Sequence, residues 1–172
     1  MSDIDIDKCR ITHYPRKVLS QKAQPISEIN DTIRDLADKM IDIMIERNGV
    51  GLAGPQAGVG LRIFVISLDG TRENAKIYIN PEITPSGEIA TTEEGCLSIP
   101  GLSAKIKRYK NCSVTAKDLS GNTFTEEADG LYARALQHEY DHLEGTMIKD
   151  RLSQVARISA RKLLKQLEEN AS

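Results

Sequence analysis

The segment Gln137-His138-Glu139-Tyr140-Asp141-His142-Leu143 holds two of the three histidines in the chain. On a helix, residues four apart lie roughly 40° apart around the axis and about one turn apart along it. The two imidazoles can then converge on one divalent metal. Glu139, beside the first of them, can reach a water held by that metal. This is the His-Glu-x-x-His arrangement, in which the histidines bind metal and the glutamate serves as general base. The third histidine sits in Thr12-His13-Tyr14-Pro15 and reads as a loop or packing residue.

A catalytic metal needs a third protein ligand and an open position. Cys96, in Glu93-Glu94-Gly95-Cys96-Leu97-Ser98, is the best candidate. A divalent cation lowers a thiol pKa enough to deprotonate it, and Gly95 lets the backbone come close. Spacing alone leaves an acidic third ligand such as Glu144 open. The other cysteines, Cys9 and Cys112, read as small core residues, since an odd and sparse set makes a poor disulfide framework. Gly49 to Gly58 contains four glycines in ten residues, with Gln56 its only polar side chain. It lacks the Lys-Ser or Lys-Thr of a phosphate loop. The Gln56 amide suits a developing oxyanion.

Three helices are expected to position these groups. The first spans about Ser27 to Asn48, with an apolar stripe through Ile29, Ile33, Leu36, Met40 and Met44, Ser27 as cap and Asn48-Gly49 as stop. The second, carrying the histidines, runs from Asp129-Gly130 to about Leu143. The third spans about Ser153 to Glu169, with a basic face of Arg157, Arg161, Lys162 and Lys165. Strands are expected at Arg62–Leu68, Lys76–Ile79, Ser113–Lys117 and Thr123–Glu126. Strands clustered between helical regions predict an α+β fold, mostly antiparallel, packed around the metal-binding helix, with a C-terminal helix.

The 172 residues suit one domain over 1–172, and no repeat or linker divides them. A net charge of −2 gives no reason to expect sequence-specific nucleic-acid binding. No apolar run is long enough to span a membrane. The acidic start, Asp3-Ile4-Asp5-Ile6-Asp7, resembles neither a signal nor a transit peptide, so a cytoplasmic location is the default expectation.

Three segments together resemble those of peptide deformylases: Gly49–Gln56 matches Gly-x-Gly-Leu-Ala-x-x-Gln, Glu94–Ser98 matches Glu-Gly-Cys-Leu-Ser, and Gln137–His142 matches Gln-His-Glu-x-Asp-His. The resemblance covers nearly the whole chain. It implies hydrolysis of the formyl group from the N-formyl-methionyl end of newly made polypeptides. It implies one divalent metal, Fe²⁺ in the cell, replaceable by Ni²⁺, Co²⁺ or Zn²⁺. By motif position Cys96, His138 and His142 are the ligands and Glu139 the acid and base. Gln56 and the Leu97 N–H hold the formyl oxygen. Val50, Gly51 and Gly95 lie along the peptide, and Leu131, Arg134 and Ala135 near the methionine pocket.

Gly54 stands where many relatives have Ala, and Ser103 where some carry an Arg that contacts the peptide; Lys105 or Lys107 could substitute for it. Glu94, Asp141 or both are expected to pair with Arg108 and support the ligands. The basic face of the third helix reads first as an ordinary solvated surface; some bacterial relatives dock such a helix on the ribosome, which is the second reading for it. Two other functions fit parts of the pattern: a zinc endopeptidase or amidase built on the same helix, and a non-catalytic formyl-peptide-binding module.

Overall fold

In the computed structural model, which describes residues 3–171, three α-helices pack on one five-stranded sheet. Helix α1 spans Asp31–Glu46 and buries the face formed by Ile33, Leu36, Ala37, Met40, Ile43 and Met44. It starts four residues later than the stripe suggested. Asn30 is extended, and its side chain accepts from the Ile33 N–H at 3.1 Å, so Asn30 is the cap and Ser27 is not. The helix stops where Asn48 takes a left-handed φ of 56°, close to the expected Asn48-Gly49.

The strands are β1 (Gly51–Ala53), β2 (Ile63–Ile66), β3 (Lys76–Gly95), β4 (Ser103–Lys117) and β5 (Thr123–Asp129). They lie in the order β1-β2-β3-β4-β5, with every neighbouring pair antiparallel. The expected α+β, antiparallel fold is the one observed. The main difference is β3, which was expected to end at Ile79 before Asn80-Pro81. Instead it continues for 20 residues, bending where the register shifts between Ile79 and Glu82 and between Ser86 and Ile89. Along β3, only Lys76–Ile79 pairs with β2, so beyond Ile79 one edge of β3 lacks that neighbour. Pro81 and Pro85 are tolerated there because no N–H is needed on the free edge.

Helix α2 (Gly130–Leu143) follows β5 without a loop. Gly130 turns the chain at φ 52°, and Asp129 still pairs with Asn111, its side chain making no cap bond. The Ala133, Leu136 and Leu143 face of α2 packs on Phe64, Ile66, Tyr78 and Val114 of the sheet. Cys112 lies in that core and Cys9 in the α1 core, both free thiols. Helix α3 (Gln154–Ala171) lays Ala160, Leu163 and Leu167 against Ile99 and Leu102, and so backs the turn between β3 and β4. Among the described residues no helix is long and apolar enough to cross a membrane.

Candidate active site

Cys96 follows the last residue of β3, in a turn closed by the Ile99 N–H donating to the Cys96 carbonyl at 3.1 Å. The turn aims the thiol at α2. The Cys96 Sγ lies 3.5 Å from His142 Nε2, and the two histidine Nε2 atoms lie 3.3 Å apart. All three donor atoms fall within 4.8 Å of one another. Sulfur and nitrogen ligands about 2.0–2.3 Å from one tetrahedral centre stand about 3.3–3.6 Å apart. The donor set therefore fits a single divalent metal. Glu144, the alternative third ligand, is turned away; it pairs with Arg62 at 2.9 Å and Lys22 at 3.2 Å.

The ligands are held from behind by a buried ionic network. Glu94 accepts from Arg108 Nε at 2.9 Å and Nη2 at 3.0 Å, and from Arg134 at 2.7 Å. Its other contact is His138 Nδ1 at 2.9 Å, which leaves Nε2 for the metal. Arg108 also donates to Asp141 at 2.6 Å, and Arg151 closes on Asp141 from outside at 2.7 Å. Arg108 thus pairs with both acids, as expected. Sequence reading did not anticipate the Glu94–His138 contact or Arg151. Burial works against the Glu94 charge, yet hydrogen bonds from His138 and Arg108 hold its carboxyl well below the usual range. Burial opposes a charged His138 too, but in the metal-free site its contacts with Cys96 and Glu94 push it up to about 10, so a metal must displace that proton to bind Nε2. Burial, helped by the charges of His138 and Arg108, keeps His142 neutral, as a metal ligand must be.

Glu139 is buried beside the ligands, and its Oε2 has no hydrogen-bond partner among the described residues. Burial pushes its carboxyl up to about 7, a value suited to taking and returning a proton near neutral pH. Gly51 makes room for it: a Cβ there would stand 2.6 Å from Glu139 Oε1. Gln56 sits in a tight 3₁₀ turn, Gly54–Ala57, after β1. Its Oε1 accepts from the Ala53 N–H at 3.0 Å, so the amide nitrogen must face the metal ligands. That nitrogen lies 3.2 Å from Ser98 Oγ and 3.5 Å from Cys96 Sγ. Ser98 is fully buried, and its role as an anchor for Gln56 left no signal in the sequence beyond its closeness to Cys96.

These groups open on a cleft of about 600 Å³. Val50, Gly51, Gly95 and Leu97 line it, as do Leu131 and Ala135 from α2. Val50 and Leu131 are 40% and 58% exposed, an apolar surface that a bound side chain would cover. Arg134 lines the same cleft with its guanidinium turned onto Glu94. Ile99 and Leu102 add walls that the motifs did not name. The Leu97 N–H takes part in none of the loop's backbone hydrogen bonds.

A helix that presents two histidines and a buried glutamate to a thiol, beneath a substrate-sized cleft, defines a metal-dependent hydrolase. The polypeptide deformylase family profile matches residues 8–157. A peptide deformylase of Thermodesulfovibrio yellowstonii is 45% identical over 157 residues, 90% of this chain and 95% of that one. Peptide deformylase 1 of Clostridium perfringens is 46% identical over 135 residues, 78% of this chain and 90% of that one. A plant peptide deformylase crystal structure superposes with a TM-score of 0.93 at 32% identity, covering 99% of this chain and 94% of that one. The chain belongs to the polypeptide deformylase family, enzymes that hydrolyse the formyl group from the N-terminus of newly made polypeptides.

Proposed function

We propose that this chain, acting as one catalytic domain over 1–172, deformylates N-formyl-methionyl nascent polypeptides with Cys96, His138 and His142 as metal ligands. The observation that carries the reading is the buried Glu139 carboxylate, one oxygen unpartnered among the described residues, beside three convergent donors of which Cys96 and His138 line the cleft. A divalent metal held by Cys96, His138 and His142 would supply Lewis-acid chemistry, acidifying water and polarising a carbonyl. Glu139 takes the proton of the attacking water as it adds to the formyl carbon. The Gln56 amide and the Leu97 N–H receive the charge that develops on the formyl oxygen. Glu139 then returns the proton to the departing amine, and formate and a free N-terminal methionine result. Leu131 and Ala135, with Arg134 beside them, form the seat for the methionine side chain, while Val50, Gly51 and Gly95 lie along the peptide. An endopeptidase reading is not favoured, since the family and its structures point to deformylation.

Fe²⁺ is the expected metal from the family resemblance; the donor set alone would also accept Ni²⁺, Co²⁺ or Zn²⁺. Protein purified without oxygen should carry about one iron per chain and release formate from formyl-Met-Ala-Ser without cutting internal peptide bonds. Chelation should abolish formate release, and Fe²⁺, Ni²⁺ or Co²⁺ should restore it. Internal cleavage, or formate release that survives complete metal removal, would sink the reading.

The cytoplasm, where nascent chains emerge, is the proposed location. The basic face of α3 is the proposed ribosome-docking surface. Val155 and Ile158 are exposed on that helix, while Leu163 and Leu167 hold it to the body. Changing Arg157, Arg161, Lys162 and Lys165 together to Gln should weaken co-sedimentation with ribosomes and spare activity on a free peptide. Unchanged sedimentation would end the idea.

A further inference from the structure

Leu131, Arg134, Ala135 and His138 all line the cleft, and their spacing places them on one stripe of α2. From Arg134 onwards the helix is anchored from outside. Arg134 and His138 are held by Glu94. Gln137 is held by the Tyr109 backbone, accepting from its N–H at 3.1 Å and donating to its carbonyl at 2.8 Å. The turn that carries Leu131 has none of these anchors. Asp129 makes no side-chain cap bond, and Gly130 bends the chain at φ 52°. Gly130, Leu131 and Ala133 have no polar side chain to offer. Tyr132 is the exception.

Tyr132, about 100° further round the helix than Leu131, packs on the core between α2 and the sheet. Its hydroxyl donates to Glu126 of β5 and touches the hydroxyl of Tyr78 of β3. Glu126 also accepts from Tyr78 at 3.3 Å and pairs with Lys76 Nζ at 3.2 Å. That ammonium lies 5.5 Å from the centre of the Tyr132 ring. Tyr78 is fully buried, with the rings of Phe64 and Phe124 at 5.0 and 5.6 Å, so the sheet and not the helix sets where the cluster stands. Side chains end about 5–6 Å from a helix axis, so a rotation of about 10° in this turn moves Leu131 by about 1 Å.

We propose that Tyr132 is a positioning residue: its hydroxyl, held by Glu126, fixes the first turn of α2 against rotation and so fixes Leu131 at the methionine seat. The inference rests on the deformylase reading of the site. One hydrogen bond has a modest net worth, so the effect is a matter of a few-fold. It should appear in KM, because none of Glu139, Gln56 and the three metal-ligand side chains hydrogen-bonds to the cluster, and a contact that acts on binding alone leaves kcat as it was.

The test compares formyl-Met-Ala-Ser, whose first side chain reaches Leu131, with formyl-Ala-Ala-Ser, whose first side chain is too short to do so, by formate release from the metal-loaded enzyme. Tyr132→Phe removes the hydroxyl and keeps the ring. It should raise KM for the methionine peptide by about five-fold with kcat unchanged, and leave kcat/KM for the alanine peptide as it was. Glu126→Ala should do the same, Glu126→Gln should restore most of the loss by keeping an acceptor, and the Tyr132→Phe, Glu126→Ala double variant should be no worse than either single one. Amide hydrogen exchange gives a readout that needs no turnover: the N–H groups of the first turn should exchange faster in Tyr132→Phe, and those around His142 should not. An equal loss on both peptides would mean general loosening, and unchanged KM with unchanged exchange would mean that the turn holds without the hydroxyl; either would overturn the role of Tyr132. No formate from the methionine peptide with the unaltered enzyme would instead overturn the deformylase reading beneath it.

Discussion

Glu139→Ala is expected to lower kcat/KM for formyl-Met-Ala-Ser by about 10³-fold or more, with metal content unchanged. A positioned acid or base contributes about 10²–10⁴-fold, and here one carboxylate is proposed to serve both proton transfers. The three ligand atoms belong to Cys96, His138 and His142, so removing Glu139 leaves the donor set intact. Stability gives a second readout. The Glu139 Oε2 is buried without a partner, which costs folding free energy. Truncation should therefore leave the melting temperature unchanged or raise it, as when a strained functional group is removed. Gly51→Ala provides the companion measurement. Its new Cβ would stand 2.6 Å from Glu139 Oε1, so the carboxylate must shift while remaining present. Displacement of a catalytic group by about 1 Å can cost about 10²-fold. Wild-type turnover in Glu139→Ala would overturn the mechanism, whatever the metal content.

The local parts of the site were legible in the sequence because their chemistry is encoded at short range. His138, Glu139 and His142 share one helix, and a four-residue spacing fixes their relative direction. Cys96 and Gln56 were legible as types in unusual company, but their convergence was not, since it depends on how β3 and the Gly54–Ala57 turn pack on α2. The Glu94–His138 and Gln56–Ser98 contacts join residues 44 and 42 positions apart, and no periodicity reports on such pairs. In the fold, α2 was placed within a residue because Gly130 opens its pattern and Gly145 stands just beyond its end, whereas β3 was cut short. Pro81 and Pro85 signal a strand's end in general and an unpaired edge here, and only the pairing of β2 distinguishes the two. The start of α1 was misplaced for a related reason: Ser27 and Asn30 both cap well, and the backbone at Asn30 decided between them.

Arg108→Met should be the most damaging change away from the cleft, costing about 3 kcal/mol of folding free energy and about 10-fold or more in metal affinity. Arg108 is 4% exposed and joins two acids that are themselves buried, Glu94 and Asp141. Methionine matches much of the arginine's volume, so the loss reports on charge rather than on a cavity. Removing one partner of a buried ion pair strands the other, which costs about 3–5 kcal/mol. The lower end applies because Glu94 keeps Arg134 and His138, and Asp141 keeps Arg151. For a chain of this size the shift in melting temperature is about 6–12 °C. Metal affinity falls separately, since Glu94 fixes the ring of His138 through Nδ1 and would now be free to follow Arg134. Denaturant unfolding of the metal-free protein isolates the first effect, and competition with a chelator isolates the second. A destabilisation below about 1 kcal/mol would show that Arg134 and Arg151 suffice to hold the two acids. Unchanged metal affinity would show that the His138 ring is oriented by the metal and the helix alone, with the network behind it serving stability only.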